Sequence, residues 1–363
     1  MSTSMQDASS RSDSLPSRKI VRAWLEEPAD RNASHATRLV AIDAAAFAIV
    51  FAAGVAVESV AAKIVLGLIQ GLVIARLFVL GHDACHQTLL RSRRANRILG
   101  RLLFLPSMTP YSMWEVGHNV LHHGYTNLAS LDFNWRPFSP EEYAALPRWR
   151  RSLERVYRSG WAPGLYYLVE IWWLRLFFPS RRHMPTRRIE FHLDGCLAAA
   201  GGLAWAGMAA GMALATGQSM ILLLATTVVL PFLAWNTVIG FLVFLHHVHP
   251  SVTWYDDKAT WTRAVTSVTG TVHCSFGPTL DRFFHHIMDH AAHHVDMGIP
   301  LERLPRAQAT LQARLPRHAL AERFTWRRYF AIARECQLFD RRRARWLSFG
   351  DVKRAVDTEG VLP

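Results

Sequence analysis

The stretch AAKIVLGLIQGLVIARLFVLGHDACH, residues 61–86, decides the fold class, because a long apolar run ends directly in two histidines. Residues 61–80 are long enough to cross a bilayer as a helix, which takes about 20 mostly apolar residues. Lys63 and Arg76 lie near the ends of this run, where long side chains reach the lipid headgroups. The stretch therefore predicts a transmembrane helix followed by a polar site.

Three further segments predict transmembrane helices: Leu39–Val57, the Gly- and Ala-rich Leu193–Ala215, and Ser219–Leu245, which Pro231 is expected to kink. Only residues 58–60 join the first two spans, and only residues 216–218 join the last two. Connections this short join antiparallel neighbouring helices. We therefore predict an all-α integral membrane protein with four transmembrane helices in two hairpins and a cytoplasmic helical cap.

The basic residues predict the orientation of the chain in the membrane. The chain has 363 residues, a net charge of +13 and 41 Lys and Arg residues, and all but Lys63 and Arg76 lie outside the four spans. By the positive-inside rule, both termini and the long middle loop are cytoplasmic, as in a bacterial inner membrane. The predicted regions are a flexible N-terminal tail (1–38), a first transmembrane hairpin (39–80), a cytoplasmic loop (81–192), a second hairpin (193–245), a cytoplasmic segment (246–300) and a basic cytoplasmic C-terminal region (301–363).

Two regions outside the four spans carry expectations of their own. Gly164–Phe178 is short for a span and combines Glu170 and Arg175 with Tyr and Trp residues, so we expect a helix that lies in the membrane interface. Residues 301–363 are expected to form short helices near anionic headgroups, although a solvated tail is an equal alternative for the last twenty residues. No apolar stretch precedes residue 39, so we expect no cleaved signal peptide.

Most of the 18 histidines fall into four clusters on the predicted cytoplasmic side. The clusters are H-D-A-C-H (82–86), H-N-V-L-H-H (118–123), H-H-V-H (246–249) and H-A-A-H-H (290–294). Histidines four residues apart project from one face of an α-helix, so both imidazoles of such a pair can bind one metal ion. On an α-helix His118 and His122 therefore share a face, and His123 points towards a second metal. The clusters predict a nitrogen-rich site for two metal ions.

Each cluster alone has a plainer interpretation as a surface helix, a group of interfacial polar residues or a zinc pair. Eight histidines in three dense clusters on one side of the membrane favour a shared metal site instead. Zinc would need only three or four ligands, whereas imidazole also suits iron, copper and nickel. Iron explains best why the site adjoins apolar helices, because activated oxygen can attack an unactivated C–H bond of a lipid chain.

The three boxes H-D-x-x-H, H-x-x-x-H-H and H-x-x-H-H, in this order around two hairpins, resemble those of the integral-membrane fatty acid desaturase family. The segments W-E-V-G-H-N-V-L-H-H (114–123) and F-H-H-I-M-D-H-A-A-H-H (284–294) are similar to bacterial members. F-L-H-H-V-H-P (244–250) is similar to a segment of the acyl-lipid, delta-12-like branch. The resemblance covers roughly residues 40–310, and related boxes also occur in alkane and carotenoid hydroxylases and ketolases.

The resemblance implies the metal ligands. They are His82, His86, His118, His122, His123, His290, His293 and His294, with a ninth from the cluster after the fourth span. His247 aligns best with that ninth ligand, but His246 stands where relatives often have Gln, so the choice among His246, His247 and His249 stays open. Val243 replaces an Asn found in some acyl-CoA desaturases, which makes an acyl-CoA substrate less expected.

Other residues are candidates for supporting roles. Metal-bound imidazoles usually donate their second N–H to a carboxylate or carbonyl. Asp83, Glu115 and Asp289 are the nearest acids in sequence, with surface ion pairs as the alternative, and His285 and His286 are further candidates around the ligands. Tryptophans could line a substrate channel or serve as membrane anchors; we expect Trp114 and Trp235 in the channel, and Trp135, Trp172, Trp254 and Trp261 are further candidates.

The resemblance implies a diiron acyl-chain desaturase that uses O2 and two external electrons to insert a double bond. The alternative is a hydroxylase or ketolase acting on an alkyl or carotenoid chain with the same boxes. A metal transporter or sensor is a third hypothesis, but the spans contain few polar residues for an ion path. The sequence has no cysteine quartet of the kind that binds an iron–sulfur cluster, and it has no dinucleotide-binding glycine motif. We therefore expect a separate ferredoxin or cytochrome b5-type donor, an acyl-lipid or acyl-thioester substrate, membrane lipid contacts and no nucleic-acid partner.

Overall fold

The computed structural model describes residues 15–25, 33–181, 184 and 186–351. Helices dominate, and the first four are α1 (Arg18–Leu25), α2 (Ala33–Ala56), α3 (Val60–Cys85) and α4 (Arg93–Phe104). Ser59 caps the N-terminus of α3 by accepting a hydrogen bond from the Ala62 backbone N–H. The helix then continues through the predicted span into the first histidine box, so the membrane segment directly positions the site.

The region between the second and third spans consists of short helices. A 3₁₀ turn (Leu105–Ser107) is followed by α5 (Tyr111–Glu115), a π-helix (Val116–His122), α6 (Pro140–Ala145), α7 (Arg148–Tyr157), α8 (Pro163–Tyr166) and a second π-helix (Tyr167–Phe177). The expected helix over Gly164–Phe178 is therefore present, but most of it is π-helical. In a π-helix the backbone N–H bonds to the carbonyl five residues earlier, which changes which side chains share a face.

The third and fourth spans are α9 (Ile189–Thr216) and a composite helix. The latter consists of α10 (Met220–Leu224), a π-helical turn (Ala225–Val229) and α11 (Leu230–His247). The π-helical turn immediately precedes Pro231, which lacks an N–H for the helical ladder. A π-helical turn thus lies next to Pro231, and the kink expected there stays a prediction.

The C-terminal third mixes helices with short strands. In chain order it contains α12 (Lys258–Arg263), α13 (Thr266–Thr269), β1 (Val272–Ser275), α14 (Pro278–Phe283), α15 (His290–Val295), a 3₁₀ turn (Leu301–Arg303), α16 (Leu304–Arg314), β2 (Leu320–Arg323), α17 (Trp326–Glu335), β3 (Leu338–Asp340) and β4 (Arg345–Leu347). β1 pairs in parallel with β2, and β3 pairs antiparallel with β4. The structure is therefore mostly helical, as expected, and the segments after the fourth span add two short two-stranded sheets that the sequence analysis did not predict.

Four helices are long and apolar enough to cross a membrane: Ala33–Ala56, Val60–Cys85, Ile189–Thr216 and Met220–His247. Large apolar side chains on them face outward; Leu203 and Leu214 are 74% and 75% exposed, and Ile221 is 81% exposed. Exposed apolar surface on this scale suits lipid rather than water. The four predicted spans are thus confirmed as membrane-compatible helices, each somewhat longer than the apolar run that predicted it.

The helices α3 and α11 approach each other closely because α3 presents glycines to the contact. A Cβ atom at Gly71 would lie 2.4 Å from Cβ of Ala234, and one at Gly67 would lie 2.4 Å from the Thr226 carbonyl oxygen. These two glycines form a G-x-x-x-G spacing, which allows membrane helices to pack backbone against backbone. The contact fixes the helix that carries the first histidine box against the one that ends in His246 and His247.

The N-terminal region differs from the expected flexible tail. Arg18 donates hydrogen bonds to the backbone carbonyls of His294 and Val295, and Val21 is fully buried. The helix α1 therefore packs against the segment that carries the third histidine box. In addition, α2 begins six residues before the predicted span. The flexible-tail prediction is wrong for residues 18–25 and 33–38, and residues 1–14 and 26–32 lie outside the described residues.

Candidate metal centre and adjoining cavity

The first histidine box lies at the end of α3. His82 is in the last turn and His86 is the C-terminal cap, and their ring centroids are 4.5 Å apart. The i, i+4 spacing on a regular helix places both imidazoles on one face, as expected.

The second box is π-helical, which changes the predicted partition of its histidines. The His123 backbone N–H donates to the His118 carbonyl at 2.9 Å, an i to i−5 hydrogen bond. His118 and His123 consequently face the same side, with their Nε2 atoms 3.0 Å apart. The prediction that His118 and His122 share a metal is wrong, because it assumed α-helical spacing; His122 faces the other group.

The third box and the end of the fourth span supply the remaining imidazoles. On α15, His290 and His294 share a face, with Nε2 atoms 3.1 Å apart. His293 lies on the other side, and its ring centroid is 4.7 Å from those of both His82 and His86. From α11, the Nε2 atom of His247 lies 3.0 Å from that of His290.

All nine predicted ligands converge into two neighbouring groups. The five-histidine group contains His82, His86, His118, His123 and His293, and the four-histidine group contains His122, His247, His290 and His294. Within each group, one nitrogen per ring lies within 4.8 Å of the others. The groups adjoin, because the rings of His123 and His294 stack with centroids 4.1 Å apart.

Of the three candidates after the fourth span, the structure brings only His247 into a group. His246 stacks on His290 at a centroid distance of 3.9 Å, and its Nε2 lies 3.3 Å from the Met288 sulfur. His249 faces away and pairs with Glu322 at 2.9 Å. The geometry therefore favours His247 as the ninth ligand.

The nitrogen atoms in these groups fit a pair of metal ions. Buried ring nitrogens without a hydrogen-bond partner among the described residues occur in both groups, including Nε2 of His82, His122 and His293. A buried polar atom without a partner is costly, and a bound cation would satisfy such lone pairs. Neither group includes a carboxylate among its possible ligands in the described ranges. An all-imidazole donor set suits iron, copper, nickel or zinc.

The environment keeps the imidazoles in the form that binds metal. Burial, followed by the proximity of other imidazoles, lowers the pKa of His86, His118 and His123 well below the ordinary value. The same causes lower the pKa of the third-box ligands, His290, His293 and His294. These histidines are therefore neutral at neutral pH, and each has a lone pair to offer a cation.

Two carboxylates orient one ligand in each group. Asp83 Oδ1 lies 3.1 Å from His82 Nδ1, as the sequence suggested. Asp132 Oδ1 lies 2.9 Å from His122 Nδ1, and its carboxylate also accepts the backbone N–H groups of Asn127 and Asn134. Occupying Nδ1 in this way leaves Nε2 free for the metal, a common arrangement in histidine metal sites.

Thr126 performs the equivalent task for His294. Its hydroxyl donates to the His122 carbonyl at 2.9 Å, so its oxygen can accept a hydrogen bond from His294 Nδ1 at 3.1 Å. His294 then carries its proton on Nδ1 and exposes Nε2 to the four-histidine group. Sequence reasoning missed Asp132 and Thr126, since neither lies in a box and only the fold brings them to the ligands.

The other predicted supporting residues do not contact ligand imidazoles. Glu115 has no hydrogen bond to a site histidine within the described part of the chain, and burial raises the pKa of its carboxyl group. Asp289 pairs with His273 at 3.1 Å and with His286 at 3.6 Å. His285 Nε2 lies 2.7 Å from Asp43, which also pairs with Arg76. These contacts join the loop before α15 to the first two spans and to β1 rather than to the metal groups.

An apolar cavity reaches both histidine groups. His82 and His118 of one group and His122, His247 and His290 of the other line it, together with apolar residues that include Phe78, Trp114, Tyr167, Ile171, Leu176, Leu242 and Val243. Of the two tryptophans expected in a channel, Trp114 lines the cavity and stacks on His118 with ring centroids 4.0 Å apart. Trp235 is fully buried behind Phe78 and Tyr167 and does not line it, and neither do Trp135, Trp172, Trp254 and Trp261.

Two adjoining groups of imidazoles that could hold metal ions therefore lie beside an apolar cavity. The fatty acid desaturase family model matches residues 58–326, a range that includes all nine imidazoles. The chain belongs to the fatty acid desaturase family. This desaturase is accordingly an oxidoreductase that acts on fatty acyl chains, and its four apolar helices mark it as a membrane protein.

Curated relatives have modest identity over most of the desaturase. An sn-1 oleoyl-lipid 12-desaturase of Picosynechococcus sp. is 27% identical over 275 residues, which is 75% of each chain. Another of Anabaena variabilis is 26% identical over 281 residues, 74% of each chain. A chloroplastic omega-6 fatty acid desaturase of Brassica napus is 26% identical over 273 residues, 75% of this chain and 58% of the relative. The chain thus spans little more than half the length of the plant relative.

Proposed function

We propose that this desaturase binds two iron ions, one in each histidine group, and introduces a double bond into the acyl chain of a membrane lipid. The observation that carries the proposal is the apolar cavity lined by imidazoles from both groups. The site ligands proposed are the nine histidines of the five- and four-histidine groups. When bound, iron supplies the redox centre that reduces O2 and removes hydrogen from an unactivated methylene.

The overall reaction balances with an external reductant. Two neighbouring methylenes lose one hydrogen each, a donor supplies two electrons, two protons come from solvent, and O2 becomes two water molecules. An alkyl chain carries no group for hydrogen bonding, so the protein must position it by shape. Phe78, Ile171 and Leu242 supply apolar walls, and Trp114 stacks on His118 to close the cavity beside that ligand.

The proposed substrate is an acyl lipid. The relatives with similar length carry names that specify an oleoyl-lipid substrate, which makes a lipid-bound oleoyl chain the first substrate to test. The proposed electron donor is a separate ferredoxin or cytochrome b5-type protein. The chain has a net charge of +13, so an acidic donor would be attracted to its polar face.

We further propose that the spans form two hairpins in a bacterial inner membrane, with both termini and the metal site cytoplasmic. Only three residues separate α2 from α3 and three separate α9 from α10. Lys and Arg are absent from both short connections and abundant elsewhere outside the spans. Reporter fusions that fluoresce only in the cytoplasm should be active at both termini, and an inactive C-terminal fusion would refute this orientation.

Lipid profiling in a bacterial host tests the activity. Cells that express the wild-type chain with a competent donor should gain a double bond in membrane acyl chains, whereas an equally abundant His122→Ala variant should not. Growth under ¹⁸O₂ separates the alternatives, because a hydroxylase would retain labelled oxygen in the lipid. Identical lipid profiles for the two chains, or a labelled hydroxyl product, would contradict the proposal.

A further inference from the structure

A second apolar space, here called the lateral groove, lies beside the cavity. Phe177 and Phe178 at the end of the second π-helix form one side of it, and Phe191, Gly195, Cys196 and Ala199 on the first turns of α9 form the other. These α9 residues belong to the third membrane-compatible helix. Gly195 faces open space, since a Cβ atom added there would meet no atom within 4 Å. The groove is therefore open along a helix that faces lipid.

Only one layer of side chains separates the groove from the catalytic cavity. Leu176 is 2% exposed and lines both spaces. On α5, Met113 lines the groove and the next residue, Trp114, lines the cavity. Displacement of the Leu176 side chain would therefore join the two spaces.

The polar end of the groove is positively charged. Arg187 and Arg188 line it just before α9 begins, and both are exposed. Neither guanidinium group forms a hydrogen bond or ion pair with a described residue, although Glu115 interacts electrostatically with Arg188 at longer range. From Arg188 to Ala199 the helix rises about 16 Å at roughly 1.5 Å per residue. A cationic mouth above an apolar channel of this length complements an anionic headgroup with an acyl chain.

We propose that the lateral groove admits the substrate sideways from the bilayer, and that the substrate is an anionic glycerophospholipid. Its phosphate lies at Arg187 and Arg188, its acyl chain follows α9 past Gly195, and displacement of Leu176 opens the way to the histidine groups. This inference rests on the proposed desaturase function. It adds the route of entry and the chemical class of the headgroup.

A bulky side chain at Gly195 tests the route. Gly195→Phe fills the groove at a position where the backbone has room for a side chain. Gly207→Phe is the matched control, because Gly207 lies on the same helix, also faces open space and is outside the groove. In nanodiscs of dioleoyl phosphatidylglycerol with a reduced ferredoxin system, Gly195→Phe should lower the initial rate about tenfold at unchanged iron content. Gly207→Phe should match wild type.

Replacing the two arginines with neutral residues tests whether the groove prefers an anionic headgroup. The wild-type chain should desaturate dioleoyl phosphatidylglycerol faster than a neutral dioleoyl galactolipid. The double variant Arg187→Gln/Arg188→Gln should lose this preference, by roughly fivefold per arginine. Arg93→Gln/Arg94→Gln, in another exposed adjacent pair, is the control for general surface charge and should keep the preference.

Cys196 provides a readout that does not need turnover. It lies in the groove and is exposed, whereas Cys85, Cys274 and Cys336 are buried. Phosphatidylglycerol added to the detergent-solubilised protein should slow its alkylation by N-ethylmaleimide more than the neutral galactolipid does. The Arg187→Gln/Arg188→Gln variant should lose that difference.

The outcomes separate this inference from the proposed function. A wild-type chain that forms no double bond in either lipid refutes the function, and Cys196 protection then decides whether the groove binds an anionic lipid. An active wild type with Gly195→Phe equal to Gly207→Phe overturns the entry route. Protection of Cys196 without any loss of rate in Gly195→Phe also overturns it, because the groove then holds a lipid that is not the substrate.

Discussion

The five-histidine group takes members from all three boxes, whereas the four-histidine group takes members from the second and third boxes and from the end of the fourth span, and the two groups differ in redundancy and support. The four-histidine group takes His247 from the fourth span. Two of its members are oriented by a hydrogen bond at Nδ1, His122 by Asp132 and His294 by Thr126. The five-histidine group has one more imidazole, and among the described residues Asp83 is the carboxylate hydrogen-bonded to a member. The comparison suggests that one site depends on every ligand and on precise orientation, whereas the other has a ligand to spare.

The largest expected difference comes from removing one ligand from each group. His247→Ala leaves three imidazoles in its group, and we expect the chain to lose about one of two irons and all detectable desaturation. His123→Ala leaves four imidazoles in the other group, so it should retain more iron and measurable activity. Metal analysis of the purified chains, together with lipid profiling, checks both. Equal loss of iron from the two variants would show that the groups do not differ in redundancy.

The π-helix of the second box offers a way to test how its histidines are divided between the two groups. Deletion of Val120, an exposed residue between His118 and His122, would restore i, i+4 spacing between the histidines now numbered 118 and 123. It would also move the present His122 out of register. We expect loss of iron and activity, because at least one ligand leaves its group.

Val120→Ala is the control for that deletion, because it retains the register and removes only exposed methyl groups. Wild-type iron content and activity are expected for it. An active deletion variant would contradict the assignment of His118 and His123 to one group and His122 to the other.

The π-helix also shows what the sequence could not predict. The apolar runs predicted the four spans, and the three box motifs predicted eight of the nine converging imidazoles, because both patterns depend on local spacing. The ninth was left open among His246, His247 and His249, and only the fold distinguishes His247 from the other two. The partition of the second box depends on whether the chain winds with four- or five-residue hydrogen bonds, and H-N-V-L-H-H is compatible with both. The contacts of Asp132 and Thr126 with the ligands depend on how the loop after the box folds back. The prediction that Trp235 lines the cavity was wrong, because a tryptophan buried in the helix bundle and one that lines a channel have the same local sequence pattern.

Loss of a residue that orients a ligand should have a smaller effect than loss of the ligand itself. Asp132→Asn removes the carboxylate that fixes His122, and a loss of this kind typically lowers metal affinity or activity roughly 10- to 100-fold. Iron retention during titration with a chelator measures the affinity, with lipid profiling as the activity readout. Glu115→Gln is the control, since Glu115 is not hydrogen-bonded to a described site histidine, and it should retain iron like wild type.

If Asp132→Asn holds iron as tightly as wild type, the four-histidine group does not depend on orientation by this carboxylate. Thr126→Val extends the comparison to the second supporting group. The hydroxyl is neutral, so its loss should weaken iron retention less than Asp132→Asn does, since hydrogen bonds involving ionised groups are roughly twice as strong as neutral ones. A larger loss from Thr126→Val would mean that orientation of His294 matters more than orientation of His122.

The smallest expected effect is that of replacing His246, which is next to the proposed ligand His247 in the sequence. His246 stacks on His290 and lines the cavity, yet it belongs to neither group. His246→Gln should therefore retain about two irons and change at most the rate or position of desaturation, whereas His247→Gln should lose iron from the four-histidine group. Metal analysis of this adjacent pair, with product double bonds located by mass spectrometry, is decisive. Loss of iron from His246→Gln but not from His247→Gln would exchange their roles, and the four-histidine group would then have to rearrange around His290, the imidazole that both residues contact.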